Sequence, residues 1–393
     1  MDLQLDPALH AFRREVRAFL RDKLTPELRR GQYRVAGVYP EPDISGPWQQ
    51  ALQERGWLVP LWPREWGGTG WSPVQRFVFE TECALAGAPL EHPMGVRLLG
   101  PVLLRFGTDG QKQHYLPRIL SGADYWCQGF SEPAAGSDLA ALGLRAEPDG
   151  DYYVLNGSKI WTTHAHHANR MFALVRTSTA GKRQDGISFV LVDLASPGIT
   201  VRPIRTIGGD QDLNEVFFDN VRVPQSDRVG EENRGWDCAR YLLEFERGAG
   251  IFSPRLRAQF KRVGNALQEQ QAQGLPLPPE LPQRLGELAA DLDSFEMLEL
   301  KFLGQLAPGE APGPLSSVLK LGASRLKQTV AELGLEALGP QSLRWHGVTV
   351  REDEDEAATP ALLQDYLNSR AFTIFGGAAE VQLGLIARHL LSG

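Results

Sequence analysis

Cysteine is scarce in this chain. Three residues in 393, Cys83, Cys127 and Cys238, are odd in number and far apart in sequence. That excludes a disulfide framework and a zinc site built on paired cysteines, and a reducing compartment is the expectation. A basic excess is also missing: 41 Lys and Arg stand against 48 Asp and Glu, for a net charge of −7. A chain of this sign lacks the field that holds a nucleic-acid backbone, so general nucleic-acid binding is excluded. An anionic ligand would have to be met by local cations instead. No apolar run reaches the roughly 20 residues of a membrane span. The start, Met1-Asp2-Leu3-Gln4-Leu5-Asp6, is acidic where a secretory signal is basic. A cytoplasmic location without a membrane span is expected.

What is present is ordinary in bulk and informative in detail. Hydrophobic content of 42% and charged content of 23% suit a globular protein, and the length suits two or three domains. The first third has helical spacing: Asp6 can cap a helix with Pro7 in its first turn, and Leu9, Phe12, Val16, Phe19 and Leu20 recur on one face. Further helices are predicted at Trp48 to Arg55, Val74 to Ala86 and Pro101 to Phe106, and a short one follows Gly107, ending near Ser121-Gly122. The glycine-rich run Gly67-Gly68-Thr69-Gly70 follows no predicted strand and lacks a phosphate-loop lysine, so it is read as a structural loop. From about residue 123 the period changes. Asp149-Gly150 and Asn156-Gly157 look like hairpin turns flanking Tyr152 to Leu155. β-prone runs follow at Met171 to Arg176, Ile187 to Val192, Ile199 to Ile204 and Val216 to Val223. Helical periodicity returns after Gly235-Trp236, broken by a proline-rich connection at 274–282 and an acidic run at 351–356. The expected fold class is α+β multidomain: a helical domain over 1–122, a β-barrel-like domain over 123–235 and a helical bundle over 236–393.

Two stretches carry the chemistry. Gln128-Gly129-Phe130-Ser131-Glu132-Pro133-Ala134-Ala135-Gly136-Ser137-Asp138 is small and hydroxyl-bearing, so its backbone can approach a polar ligand. Asn156-Gly157-Ser158-Lys159-Ile160-Trp161-Thr162-Thr163 sets a tryptophan beside two threonines on a predicted strand, a flat apolar plate with hydroxyls next to it. Together they suit a planar heterocycle joined to a pyrophosphate, and they resemble the flavin-binding segments of the acyl-CoA dehydrogenase family. The resemblance extends over nearly the whole chain and includes the order of the domains. Matching segments are Gly107 to Gly122, Val229-Gly230-Glu231-Glu232-Asn233-Arg234-Gly235-Trp236, and Ile374-Phe375-Gly376-Gly377-Ala378-Ala379-Glu380-Val381-Gln382.

The resemblance implies FAD as cofactor and an acyl-CoA thioester as substrate. A base removes the α-proton, the β-hydrogen leaves as hydride, and electrons pass to an electron-transfer flavoprotein. Residue by residue, it implies that Gln128, Phe130, Ser131, Trp161, Thr162, Thr163 and Gly377 bind the flavin. Phe130 and Ser131 are implied at the pyrimidine side of the ring, Trp161 against the ring and Thr163 towards N5. Ser137, Arg247 and Gly376 are implied to contact the thioester. The familiar base position, a glutamate before Gly-Thr, is here Gly376, which keeps only a backbone N–H to polarise the carbonyl. A subset of the family carries its carboxylate on the first helix of the C-terminal domain, just before an arginine. Leu243-Glu244-Phe245-Glu246-Arg247 matches that pattern, which makes Glu246 the expected base. Glu244 projects from nearly the opposite side of the helix, and Glu380 lies a turn beyond the familiar position. Arg247 either orients the thioester or pairs with Glu244 at helical spacing.

Two departures bear on assembly. Many relatives have Arg-x-x-Phe-Gly after this helix, its arginine meeting the flavin of a neighbouring subunit. This chain reads Gln268-Glu269-Gln270-Gln271-Ala272-Gln273-Gly274 instead. The glutamine-and-paired-glycine segment of relatives corresponds to Glu336-Ala337-Leu338-Gly339-Pro340. The chain thus resembles the large subunits of bacterial heteromeric dehydrogenases, and a homo- or hetero-oligomer, dimer or tetramer, is expected. Rival expectations are a flavin oxidase or monooxygenase on the same scaffold, and a structural subunit whose partner holds the working site. His164, His166 and His167 cluster in one loop. No carboxylate or cysteine complements them locally, so a polar loop and no metal are expected.

Overall fold

The computed structural model describes residues 7–35, 37–248, 251–305, 315–343 and 362–391, with the side chains of 244–248, 269, 305 and 341 left aside. Helices come first: α1 (Pro7–Lys23), α2 (Pro26–Tyr33), α3 (Pro42–Arg55), α4 (Pro73–Ala86), α5 (Gly100–Phe106) and α6 (Asp109–Ser121). The chain dictates several of these ends directly. Ser72 with Gln75, and Thr108 with Gln111, form capping boxes that satisfy the first free N–H groups of α4 and α6. α1 buries the apolar stripe Phe12, Val16, Phe19 and Leu20. Asp6, its expected cap, lies outside the described residues. Two elements escaped the sequence reading. α2 spans only eight residues, too few for a periodic signal, although Thr25 caps it by accepting from the Leu28 N–H at 3.2 Å. Met94–Leu99 forms a π-helix running into α5.

Eight strands follow: β1 (Trp126–Gly129), β2 (Arg145–Asp149), β3 (Tyr152–Lys159), β4 (Arg170–Arg176), β5 (Ile187–Asp193), β6 (Ile199–Ile204), β7 (Leu213–Pro224) and β8 (Arg228–Val229). They form one sheet in the order β6-β7-β3-β2-β4-β5-β8, with β1 parallel to β4. Both faces of the central strands are covered, which is why β4 and β5 read as nearly unbroken apolar runs. Phe172, Leu174, Ile187, Phe189 and Leu191 face a core shared with the N-terminal helices. Met171, Ala173, Val175, Val190 and Val192 face a second core with Tyr153, Leu155 and Val216. Asp149 pairs with Tyr152 around Gly150, so that turn is present. Asn156-Gly157 is not a turn. It lies within β3 at a shift in register against β7, where the Asn156 side chain accepts from the Asn220 N–H at 2.9 Å. Pairing with the long β7 holds this segment in the sheet despite its turn-forming composition.

The chain then returns to helices: α7 (Gly235–Gly248), α8 (Ser253–Ala272), α9 (Leu281–Gln305), α10 (Leu315–Leu338), α11 (Leu362–Ser369) and α12 (Ala379–Leu391). α8, α9 and α10 enclose a third core around Val263, Leu292, Leu319 and Val330. α7 instead joins the first core through Cys238, Ala239 and Leu242, and it packs on β5 and α10. The order helices, sheet, helices is the one the sequence implied. The acidic run 351–356 lies outside the described residues. Among the described residues no helix is long and apolar enough to cross a membrane.

Candidate active site

The two chemistry-bearing stretches are stitched side by side. β3 ends at Lys159, whose fully buried ammonium donates to the Phe130 carbonyl at 3.1 Å and to the Glu132 carboxylate at 2.7 Å. Glu132 also accepts from the N–H groups of Gly143 and Leu144, at 2.6 and 2.9 Å. The Ile160 N–H donates to the Ser131 carbonyl at 2.9 Å. Burial pushes the Lys159 ammonium down to about 8, against the opposing pull of Glu132. A cation with so little access to water is stable there only because oxygen acceptors surround it.

Immediately after this pair the chain leaves the sheet. Trp161 is not on the strand, as the sequence suggested, but past its end, with φ at 60° and 56% of its surface exposed. A bulky residue in the left-handed region is strained, so the surrounding contacts must hold it. They are visible: Thr162 N–H donates to the Asn214 carbonyl and the Asn214 amide donates back to the Thr162 carbonyl, both at 2.9 Å. His164, also left-handed at φ 55°, donates its N–H to the Asp212 carbonyl at 2.7 Å. The result is an indole plate displayed outward beside the Thr162 hydroxyl, which is buried and has no hydrogen-bond partner. Thr163 is half-buried next to it, and Gln128 and Ser131 are half-buried on and just after β1.

Phe130 is implied at the pyrimidine side of the flavin, and the structure buries its ring in the core. Its ring is buried edge-on against Phe172 and Phe189, with centroids 5.9 and 6.2 Å away. Its carbonyl is taken by Lys159, so the ring acts as an anchor for the segment. Ser137 stands exposed in the turn beyond.

A buried network backs the tryptophan turn. Asp212 accepts from the Val38 N–H at 2.9 Å, and burial together with Asp210 pushes its carboxyl up to about 7. His164 lies behind it, its ring stacked on His92 at 5.1 Å and its Nδ1 2.7 Å from the Tyr125 hydroxyl. Burial lowers His164 to about 3 and His92 to about 4, so both imidazoles are neutral. The expectation of an isolated polar histidine loop needs correction. His164 is a core residue, and Glu41, far off in sequence, meets His167 at 2.6 Å. No local pattern could reveal that carboxylate.

At the other end of the chain, Gly376 and Gly377 adopt φ of 63° and 94° in the turn before α12. Lys320 on α10 fixes that turn by donating to the Phe372 and Gly377 carbonyls, both at 2.8 Å. Ser324 donates to the Phe372 carbonyl at 2.9 Å. Glu380 is exposed at the start of α12. α10 thus supports this turn and also touches α7, the helix carrying positions 244–247. The side chains of Glu244, Glu246 and Arg247 lie outside the described residues. Lys159, Glu132, Asn214 and Lys320 were given no role from sequence. Only the polar character of the two stretches pointed towards the first two.

These residues fit a flavin in two respects: an exposed aromatic plate held at a conformational cost, and an unpartnered hydroxyl on the next residue. Comparison with known proteins agrees. The chain matches the acyl-CoA dehydrogenase N-terminal domain over residues 6–123, the middle domain over 127–221 and the C-terminal domain over 233–391. It is 35% identical to the acyl-CoA dehydrogenase IpdE1 of Mycobacterium tuberculosis, over 97% of this chain and 96% of that one. Among solved structures it resembles the Tcur3481-Tcur3483 steroid ACAD, with a TM-score of 0.86 and 30% identity over 100% of this chain and 99% of that one. It also resembles the ChsE4-ChsE5 complex from Mycobacterium tuberculosis, with a TM-score of 0.82 and 28% identity over 100% and 99% of the two chains. Three domain matches in order, a relative aligned almost end to end and a displayed tryptophan turn lead to one conclusion: the chain belongs to the acyl-CoA dehydrogenase family.

Proposed function

We propose that this chain is the large subunit of a heteromeric, FAD-dependent dehydrogenase that converts a steroid-derived acyl-CoA thioester to its 2-enoyl form. The observation that carries the reading is the Trp161 turn, strained, exposed and locked by Asn214, beside the orphaned Thr162 hydroxyl. In this reading Trp161, Thr162 and Thr163 hold the flavin ring from one side. Gln128, Ser131 and the Phe130 backbone serve its polar edge, and Gly377 contacts it from the C-terminal turn. Bound FAD would supply the hydride acceptor for the substrate β-hydrogen, with an electron-transfer flavoprotein as the proposed electron acceptor.

Glu246 is the base that removes the α-proton. The support for it is the resemblance of Leu243-Glu244-Phe245-Glu246-Arg247 to the alternative base position, with the familiar position empty at Gly376. The Gly376 N–H donates to the thioester carbonyl and makes that proton more acidic. Ser137 and Arg247 position the thioester. We set the domain limits at residues 122 and 235, and the cytoplasm as the location, in keeping with three buried free thiols.

Steroid chemistry is supported by the name of the structural relative, a steroid ACAD, and the heteromer by that relative and the ChsE4-ChsE5 complex. This chain's own residues add to the second point. Glu336, where relatives carry a flavin-contacting glutamine, is paired within the chain to Arg284. The Gln270 amide near the end of α8 donates to the Leu338 carbonyl at 3.2 Å. Both positions are engaged internally, which leaves a partner chain to supply the missing flavin contacts. The test is anaerobic mixing of the flavin-loaded protein with a panel of acyl-CoA thioesters, from short straight chains to steroid side chains. Bleaching of the yellow flavin by the steroid thioesters is expected. No bleaching by any thioester refutes the function, and peroxide release without reduction of an electron-transfer flavoprotein assigns an oxidase. A homodimer fully loaded with flavin refutes the heteromer.

A further inference from the structure

We propose that Glu41, His166 and His167 form a binding site for a divalent transition-metal ion, zinc being the best match, which clamps the start of α3 to the flavin segment. The three residues come from two distant parts of the chain. Glu41 stands at the N-cap of α3 yet makes no capping bond there; its carboxylate reaches the His167 Nε2 at 2.6 Å instead. His166 and His167 are adjacent, and side chains of neighbours ordinarily diverge. Here the turn through 163–167, closed by His167 and Ala168 N–H groups donating to the His164 carbonyl at 3.0 Å, folds the two rings to a centroid distance of 3.9 Å. One ligand atom from each of the three residues falls within 4.8 Å of the others.

The surroundings prepare one histidine as a ligand. His166 Nδ1 lies 3.1 Å from the Asn214 Oδ1. Asn214 is fully buried and its amide nitrogen is committed to the Thr162 carbonyl, so the oxygen faces His166 as an acceptor. That assigns the proton to Nδ1 and leaves the Nε2 lone pair outward. A carbonyl fixing the far nitrogen is the usual support of a metal-bound histidine.

Two imidazoles and one carboxylate, completed by water, are a zinc donor set. Zinc bonds of about 2.0–2.2 Å in tetrahedral geometry separate ligand atoms by about 3.3–3.6 Å. To reach this the Glu41–His167 contact must open from 2.6 Å by side-chain rotation. The bound ion then ties the α3 start to a loop whose third residue back from His166 is Thr163, independently of whether flavin is bound.

The test uses the full chain freed of any histidine tag. Calorimetric titration with zinc chloride should give one ion per chain. At free zinc about a hundredfold above Kd, the folded-to-unfolded ratio should rise about a hundredfold. Cobalt(II) should give the visible ligand-field bands of a four-coordinate ion. Glu41→Gln, His166→Ala and His167→Ala should each abolish all three signals, while His10→Ala, at an exposed histidine elsewhere, keeps them. The three ligands are exposed, so the variants are expected to keep the parent circular dichroism. No stoichiometric zinc, or zinc binding equal in all variants, overturns the proposal and leaves the Glu41–His167 contact as an ordinary ion pair.

Discussion

Replacing Asp212 with asparagine should make the protein more stable, and increasingly so as pH rises. Asp212 is 6% exposed, accepts from the Val38 N–H at 2.9 Å, and lies 3.9 Å from the neutral His164 ring. Burial, with Asp210 adding to it, raises its carboxyl from 3.8 to about 7. The sign follows from proton counting. Below about pH 4 both folded and unfolded chains hold the proton, and this group contributes fully. Between 4 and 7 the unfolded chain releases it while the folded chain keeps it, so stability falls as pH rises. Above 7 the folded state carries a buried carboxylate. A gap of about three units, at about 1.4 kcal/mol each, corresponds to at most about 4 kcal/mol, of which about 3 develops between pH 5 and 8. An asparagine side chain would still accept from the Val38 N–H but never ionise. Urea unfolding of the flavin-free parent and the Asp212→Asn variant, followed by tryptophan fluorescence at pH 5 and pH 8, measures this directly. The advantage of the variant should widen by about 3 kcal/mol at the upper bound. Parallel pH curves, or a variant less stable than the parent at pH 8, would refute the reasoning.

Lys159→Met strands the Glu132 carboxylate and the Phe130 carbonyl, and breaking such a buried pair costs about 3–5 kcal/mol. Urea midpoints should fall accordingly and recover partly in the Lys159→Met, Glu132→Gln double variant; equal midpoints for single variant and parent contradict the stitch. Trp161→Ala should change flavin-free stability by less than about 0.5 kcal/mol, as for other exposed positions. The same variant should lose flavin faster on ultrafiltration, whereas a large stability loss would make Trp161 a core residue. Gly68→Ala places a Cβ 1.6 Å from the Trp62 carbonyl oxygen. The backbone must shift, so a cost of about 1–3 kcal/mol is expected; an unchanged melting temperature would show the loop to be looser than described.

Much of the architecture was legible because it rests on local rules. The Phe12 to Leu20 stripe and the apolar β4 and β5 runs each state their element within a few residues. The failures come from long-range contacts overriding local signals. Asn156-Gly157 has the composition of a turn, but β7 pairs across it and absorbs the mismatch as a bulge. Trp161 has strand propensity, yet it turns to φ 60° just past β3, where Thr162 and His164 bond to Asn214 and Asp212, residues distant in sequence. The resemblance implies Phe130 at the pyrimidine side of the flavin, and no local pattern shows that its ring packs on Phe172 and Phe189. The carboxylate facing His167 stands 126 positions away, beyond any motif. For the proposed base, sequence remains the carrier: an empty position at Gly376 and a filled one at Glu246.

That substitution of one position for another is best tested by the Glu246→Gln variant, loaded with flavin and mixed anaerobically with a thioester that bleaches the parent. The visible spectrum is followed to completion. The account predicts flavin content close to the parent and bleaching slowed by several orders of magnitude, because the α-proton has no acceptor. Bleaching at the parent rate would contradict it and move the base to another carboxylate, Glu380 first.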